Sequence, residues 1–401
     1  MANEENKALY SRTFVLLCLV QFLGYAHNAV LTPTLPLYVT QLGGSAFTAG
    51  LVLATFNVSS VLVRPLVGYW TDSWRHDRIL ALGVFGLGLG VLPLLIPSIG
   101  VIALGNIVRG IAWAGLNTGG YTLLASITPH TRRGEASGIY GGVQSSSNII
   151  FPYIALWLVD APTGGMVPVI MISAILGLLG GGAGYALIQP EIPERTVERK
   201  ALKRPGIFRF SSLVDPGVLL ATGLALCLNL SQPAVFGFLA LYAREIGISG
   251  IGWYFTVNGL MNILARPLLG QLSDRIGRGP TIAAGFILEI LGLFLLLMAS
   301  NFSALILSGI LYSAGTAVAA ATTMALAIDR SDPERRGVAM ATYTVAYPAG
   351  WGLGALIAGA VADLAGYRTM YLVAAGLTAI GLFALAFNRS KLRGPGQLGA
   401  R

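Results

Sequence analysis

Long apolar runs alternate along this chain with short polar loops. The runs fall at 13–38, 46–70, 79–97, 101–127, 135–159, 166–188, 216–243, 249–272, 281–299, 303–328, 337–362 and 368–388. A helix crosses the hydrocarbon core of a bilayer with about 20 apolar residues, so the pattern predicts twelve transmembrane helices. A membrane β-barrel shows short segments of alternating polarity instead. The first run begins beside Arg12 and has no small-residue cleavage site followed by a soluble sequence. It is expected to be a retained helix rather than a signal peptide.

The polar punctuation repeats. Residues 64–72 read RPLVGYWTD and residues 266–274 read RPLLGQLSD. LPLY at 35–38 matches LALY at 239–242, TRRGEASGIY at 131–140 matches ERRGVAMATY at 334–343, and Asp160 matches Asp363. All lie 202 to 204 residues apart in a chain of 401. The chain therefore divides into a six-helix half at 1–188, a polar linker at 189–214 and a second six-helix half at 215–401. The halves are related by a pseudo-two-fold axis along the membrane normal. The linker, QPEIPERTVERKALKRPGIFRFSSLV, suits an amphipathic stretch on the membrane surface.

Composition agrees with the pattern. The chain is 55% hydrophobic and 11% charged, with a mean hydropathy of +0.72, whereas soluble domains carry roughly 25% charged residues. The net charge of +9 reports orientation rather than a nucleic-acid partner. With both termini placed in the cytoplasm, Arg244 and Arg368 fall outside and Arg64, Arg109 and Arg266 lie within or at the ends of spans. Every other Lys and Arg falls inside, which is the positive-inside pattern. Cys18 and Cys227 both sit in apolar runs, where they read as small packing residues.

No Gly-rich loop ends in Lys-Ser/Thr, and His27, His76 and His130 have no Glu or His at metal-ligand spacing. Neither an enzyme nor a metal site is expected. Polar residues inside the spans carry more information, because they are costly in lipid and mark pathways. In the fourth span Asn106, Arg109, Trp113, Asn117 and Tyr121 recur at three and four residues and form one helical stripe. His27 in the first span and Arg109 both lie roughly 12–14 Å below the outer surface, at 1.5 Å per residue. Glu289 is the deep carboxylate of the ninth span.

The repeated loop resembles the signature of the major facilitator superfamily, Gly-x-x-x-Asp-Arg/Lys-x-Gly-Arg-Arg/Lys after helices 2 and 8. The second copy matches at Gly270, Asp274, Arg275, Gly277 and Arg278 and departs at Gly279. The first keeps Gly68 and Asp72 but has Ser73, Arg75 and His76. The run GALIAGAVADLAGYR at 354–368 is similar to helix 11 of that family. The resemblance covers essentially the whole chain. It implies an all-α integral membrane fold of twelve helices in two pseudo-symmetric halves, with helices 1, 4, 7 and 10 lining a central cavity. It also implies residence as a multi-pass protein of the inner (plasma) membrane. Asp72 and Asp274 become latches that meet a helix N-terminus of the other half, and Arg275 and Arg278 tie the loop to nearby carboxylates.

On that frame the substrate-binding candidates are Arg109, His27, Asn106, Trp113, Asn117, Gln144, Asn148, Gln232, Tyr254, Asn258, Tyr312 and Tyr347. His27, Arg109 and Glu289 are candidates for proton coupling. Aromatic and amide walls suit amphipathic organic molecules. The implied activity is alternating-access transport of a small organic solute, with the proton gradient as energy source and no cofactor. Membrane lipids surround it, and neither nucleic acid nor an obligate protein partner is expected. One reading is efflux of drug-like or amphipathic metabolites, although the Gly-Pro dipeptide usual in helix 5 of such exporters is absent from GIYGGVQSSSNIIFP at 138–152. The other is symport or exchange of an organic anion, with Arg109 as counter-ion. Replacing Asp274→Asn is expected to reduce turnover in reconstituted vesicles while leaving insertion and melting intact. Wild-type rates in that variant would remove the latch.

Overall fold

The computed structural model describes residues 10–73, 75–129, 132–188, 214–332 and 336–388, with backbone alone at 72–73, 133–134, 266–275 and 336–337. The linker and both chain ends thus lie almost wholly outside the described residues. The first half comprises α1 (Arg12–Leu31), α2 (Leu35–Gln41), α3 (Ala46–Ser73), α4 (His76–Gly90), α5 (Ile99–Ile127), α6 (Arg133–Asp160) and α7 (Met166–Tyr185). The second comprises α8 (Leu219–Phe236), α9 (Leu239–Glu245), α10 (Gly252–Ile276), α11 (Arg278–Leu297), α12 (Phe302–Arg330), α13 (Arg336–Thr344) and α14 (Ala346–Phe387).

Local chemistry explains where the helices break. The first span bends at Pro33, which has no N–H to donate, and resumes at α2 with Pro36 in its first turn. The seventh bends after Pro233, whose carbonyl accepts from both Gly237 and Phe238. The repeated LPLY and LALY stretches open the short helices α2 and α9. The long helix α14 holds two spans. Gly366, at φ 82°, breaks it in a left-handed conformation that only glycine adopts without strain. Residues 354–361 then face residues 370–377.

Nine helical stretches among the described residues are long and apolar enough to cross a membrane, and one of them, Val338–Phe387, contains the pair joined at Gly366. The helices α6 and α10 have the length but are more polar. They pack against each other between the two halves, so their polar side chains need not meet lipid. This is a multi-pass membrane protein.

Among the described residues the halves meet toward one end. Arg12, Tyr185, Leu219 and Phe387, the helix termini next to the chain ends and the linker, mark the opposite, terminal end. At the distal end a single apolar core joins Val30, Leu31 and Leu35 of the first half to Phe238, Leu239 and Tyr242 of the second. At the terminal end the cores are separate. Phe14, Leu17, Leu116 and Tyr140 belong to one, and Leu224, Phe286, Leu326 and Tyr343 to the other. The described residues therefore show a structure shut at the distal end and parted at the terminal end.

Close backbone approach makes the seal. A Cβ on Gly50 of α3 would collide with the Ala355 carbonyl oxygen and stand 3.1 Å from Gly359 Cα. Between α6 and α10, Thr256 Oγ1 donates to the Ile149 carbonyl at 2.8 Å. Arg244 reaches Asp160 at 2.6 Å across the distal face, but the side chains are 42% and 60% exposed. Such a pair contributes about 0–1 kcal/mol, so packing dominates the closure. Replacing Gly50→Leu is expected to part α3 from α14, at a cost of about 1–3 kcal/mol in the shut form. A reporter Leu53→Cys should then react several-fold faster with a membrane-impermeant maleimide from the distal side. An unchanged rate would show that the seal does not depend on this contact.

Candidate functional site

The stripe on α5 changes character along its length. At its distal end Asn106 and Arg109 are 1% and 2% exposed. Trp113 and Asn117 are half-buried and Tyr121 is exposed toward the terminal end. One helical face thus runs from a sealed polar site to an open wall.

The sealed site centres on the Arg109 guanidinium. Its Nε donates to His27 Nε2 at 3.1 Å, one Nη to Asn106 Oδ1, and the other to Asn28 Oδ1 at 3.3 Å. The Phe56 ring lies 5.2 Å from Cζ, close enough for a cation–π contribution. Asn106 is itself anchored, donating to the Val52 carbonyl at 2.9 Å. His27 Nδ1 stands 2.8 Å from the Ser173 carbonyl. Because Nε2 accepts from Arg109, the ring proton belongs on Nδ1, which donates to Ser173. Every acceptor given to Arg109 is neutral. A proton can add to Nε2 only after Arg109 turns away, so the two basic groups act as one unit.

Below it the wall is aromatic and amide. Trp113 packs between Tyr25 and Phe56, with ring centroids 4.6 and 5.8 Å away. Tyr25 donates to Asn117 Oδ1 at 2.9 Å, and Gln144 of α6 donates to the Tyr121 hydroxyl at 3.1 Å. Asn148 is half-buried nearby on the same helix. On the other half Gln232 and Tyr347 are half-buried, and the Tyr347 hydroxyl lies 3.3 Å from that of Tyr343. Tyr254, Asn258 and Tyr312, candidates for the same wall, are buried within the second half. Tyr25, Asn28, Phe56 and Gln21 were not singled out from sequence. The spacing of Gln21, Tyr25 and Asn28 at four and three residues on α1 was the available signal.

Glu289 stands apart from His27 and Arg109. It is held in the second half by Ser231 of α8 at 2.5 Å and Thr378 of α14 at 3.2 Å. In the repeated loop, Arg278 Nε bonds Asp329 Oδ2 at 3.0 Å, pinning the start of α11 to the end of α12. Gly277 precedes it at φ 91°, and Gly68 faces open space. The side chains of Asp72, Asp274 and Arg275, and Gly270 with them, lie outside the described residues.

The sequence profile of the Major Facilitator Superfamily matches residues 17–251 and 234–401. The chain belongs to the major facilitator superfamily. YhhS, an uncharacterized MFS-type transporter of Escherichia coli (strain K12), is 29% identical over 380 residues, covering 92% of this chain and 90% of YhhS. The multidrug resistance protein MdtG of E. coli (strain SMS-3-5 / SECEC) is 24% identical over 398 residues, covering 96% and 95%. Among solved structures, a bacterial homologue of the human lysosomal transporter Spinster, in an inward-facing and unoccupied conformation, superposes with a TM-score of 0.78. The identity is 14%, over 97% of this chain and all of that one. The twelve-helix, two-half architecture is that of the superfamily, and its members are secondary transporters.

In a superfamily member a buried arginine with three neutral acceptors is sensitive to shape as well as charge. Lysine offers three donors from a point, not a planar fork. Arg109→Lys is expected to leave at least one of His27, Asn106 and Asn28 unpaired and to lower stability by about 1–3 kcal/mol. Thermal melting of the purified protein checks this, and an unchanged melting temperature would show the network to be replaceable.

Proposed function

We propose that this chain exports drug-like or amphipathic metabolites by proton-coupled alternating access. The observation that carries the reading is the half-exposed wall of Tyr25, Trp113, Asn117, Tyr121, Gln144 and Tyr347 opening at the terminal end, on which the described residues place no carboxylate. Flat aromatic faces with amide donors and acceptors bind amphipathic molecules without demanding one charge. The name of MdtG as a multidrug resistance protein agrees with this chemistry. The basic residues gather at the terminal end, so by the positive-inside rule that end faces the cytoplasm. The bacterial relatives suit an inner membrane. A cavity parted on the cytoplasmic side is the form that loads a solute for export.

A second reading is symport or exchange of an organic anion. It rests on Arg109, whose acceptors His27, Asn106 and Asn28 are all uncharged. An incoming carboxylate or phosphate would be its first counter-ion.

Ligand-induced melting shifts separate the two, since a bound ligand raises apparent stability by mass action. On the first reading neutral and lipophilic cationic amphiphiles raise the melting temperature. Trp113→Ala then weakens their binding about tenfold, or roughly 1.4 kcal/mol, while Arg109→Ala leaves the shift in place. Shifts from anions alone, lost in Arg109→Ala, would replace it with the second.

A further inference from the structure

The second half carries a counterpart of the Arg109 site. The repeat offset of 203 pairs Arg109 with Tyr312, and the offset of 204 at LPLY and LALY pairs His27 with Ser231. The matched side chains meet in the same way, His27 with Arg109 at 3.1 Å and Ser231 with Tyr312 at 3.0 Å. Where the first site holds a guanidinium, the second holds a carboxyl, Glu289 of α11.

Glu289 is fully buried. Its Oε1 accepts from Ser231 and Thr378, and its Oε2 has no hydrogen-bond partner. The titratable and polar groups facing it are Cys227 and Ser231 on α8, Tyr312 on α12 and Thr378 on α14. Tyr254 of α10 and Tyr371 of α14 stand behind Tyr312. None is a cation. A lone carboxylate in such surroundings is several kcal/mol out of place without one, whereas hydroxyls on Oε1 and a bare Oε2 suit a carboxyl that carries a proton there.

The second observation is where the other unpaired oxygens lie. The buried hydroxyls of Tyr254 and Tyr371 also lack partners, the former beside Ser308 without a bond of normal geometry. From Tyr371 the row continues to Tyr242, with ring centroids 5.1 Å apart, and Tyr242 lies 6.4 Å from Tyr367. Tyr367 is half-buried beside the Gly366 turn and near Glu245 and Asp363 at the distal end. At 1.5 Å per residue, Tyr371 lies about 7 Å inside that end, and Glu289 and Tyr312 about 12–15 Å. Unpaired buried oxygens in a row are places for bridging water. The row runs inside the second half, beside the apolar seal that shuts the gap between the halves.

We propose that Glu289 is the proton-binding site of the second half and exchanges its proton with the distal face along the row of Tyr312, Tyr254, Tyr371, Tyr242 and Tyr367 while the solute path is shut there. The step is proton transfer alone. The carboxyl O–H breaks, a water at the distal face gains the proton, and the carboxylate keeps Ser231 and Thr378 as donors. Its use in transport rests on the proton-coupled reading above, but the site and the route are tested without any solute, so a failure of that reading leaves this test unaffected.

The test is infrared difference spectroscopy of the purified protein after a jump to alkaline pH from about pH 6, where ordinary carboxyls are already ionised. Wild type should lose one neutral-carboxyl carbonyl band. Glu289→Gln should lack that band and still melt cooperatively. Tyr254→Phe and Tyr371→Phe remove hydroxyls that have no partner, so both should fold. They should keep the band and slow its response about tenfold, the effect of roughly 1.4 kcal/mol on the transfer barrier. A wild-type band that does not respond to pH, or one that survives in Glu289→Gln, overturns the site. Unchanged rates in both tyrosine variants overturn the route.

Discussion

In hydrocarbon a polar group without a partner is several kcal/mol worse off than in water, and the rest of this structure follows from that constraint. It makes the backbone helical across each span and leaves side-chain polarity only where another helix can answer it. The Arg109 guanidinium is the severest instance. Helices α1, α3 and α5 are locked together by its demand for acceptors, which His27, Asn28 and Asn106 meet while Val52 and Ser173 fix two of those partners in turn.

The second half obeys the same rule with the opposite chemistry. Its deep polar group is an acid, and the helices equivalent to those around Arg109 supply hydroxyls rather than amides. Duplication thus preserved the geometry while the charge at the centre diverged. Each half is held internally by its own buried polar site and its own apolar core. The halves can therefore move as units, joined at the distal end by glycine-mediated contacts and a weak surface ion pair rather than by a deep network.

That division of labour suits alternating access. Rigidity is needed inside each half, and a shallow energy difference is needed between them. Interfacial packing of small residues such as Gly50 and Gly359 is strong when closed yet leaves no buried charge stranded when it opens. The helices α6 and α10 meet each other across the two halves, with Thr256 donating to the Ile149 carbonyl.

The hydrophobic pattern determined the twelve spans, the duplication and the division into halves, because in a bilayer the length and polarity of a segment decide its place. The short helices after the bends were legible as the repeated LPLY and LALY. Depth along the helices placed His27 and Arg109 at one level. Only tertiary structure decided that the two bond directly, that Glu289 turns toward Ser231 and Thr378, and that Tyr254, Asn258 and Tyr312 are buried. Periodicity gives the face of a helix but not which neighbour covers it. It also could not tell which end of the molecule is shut, since that depends on how the halves lean together, and the same sequence of helices permits either tilt.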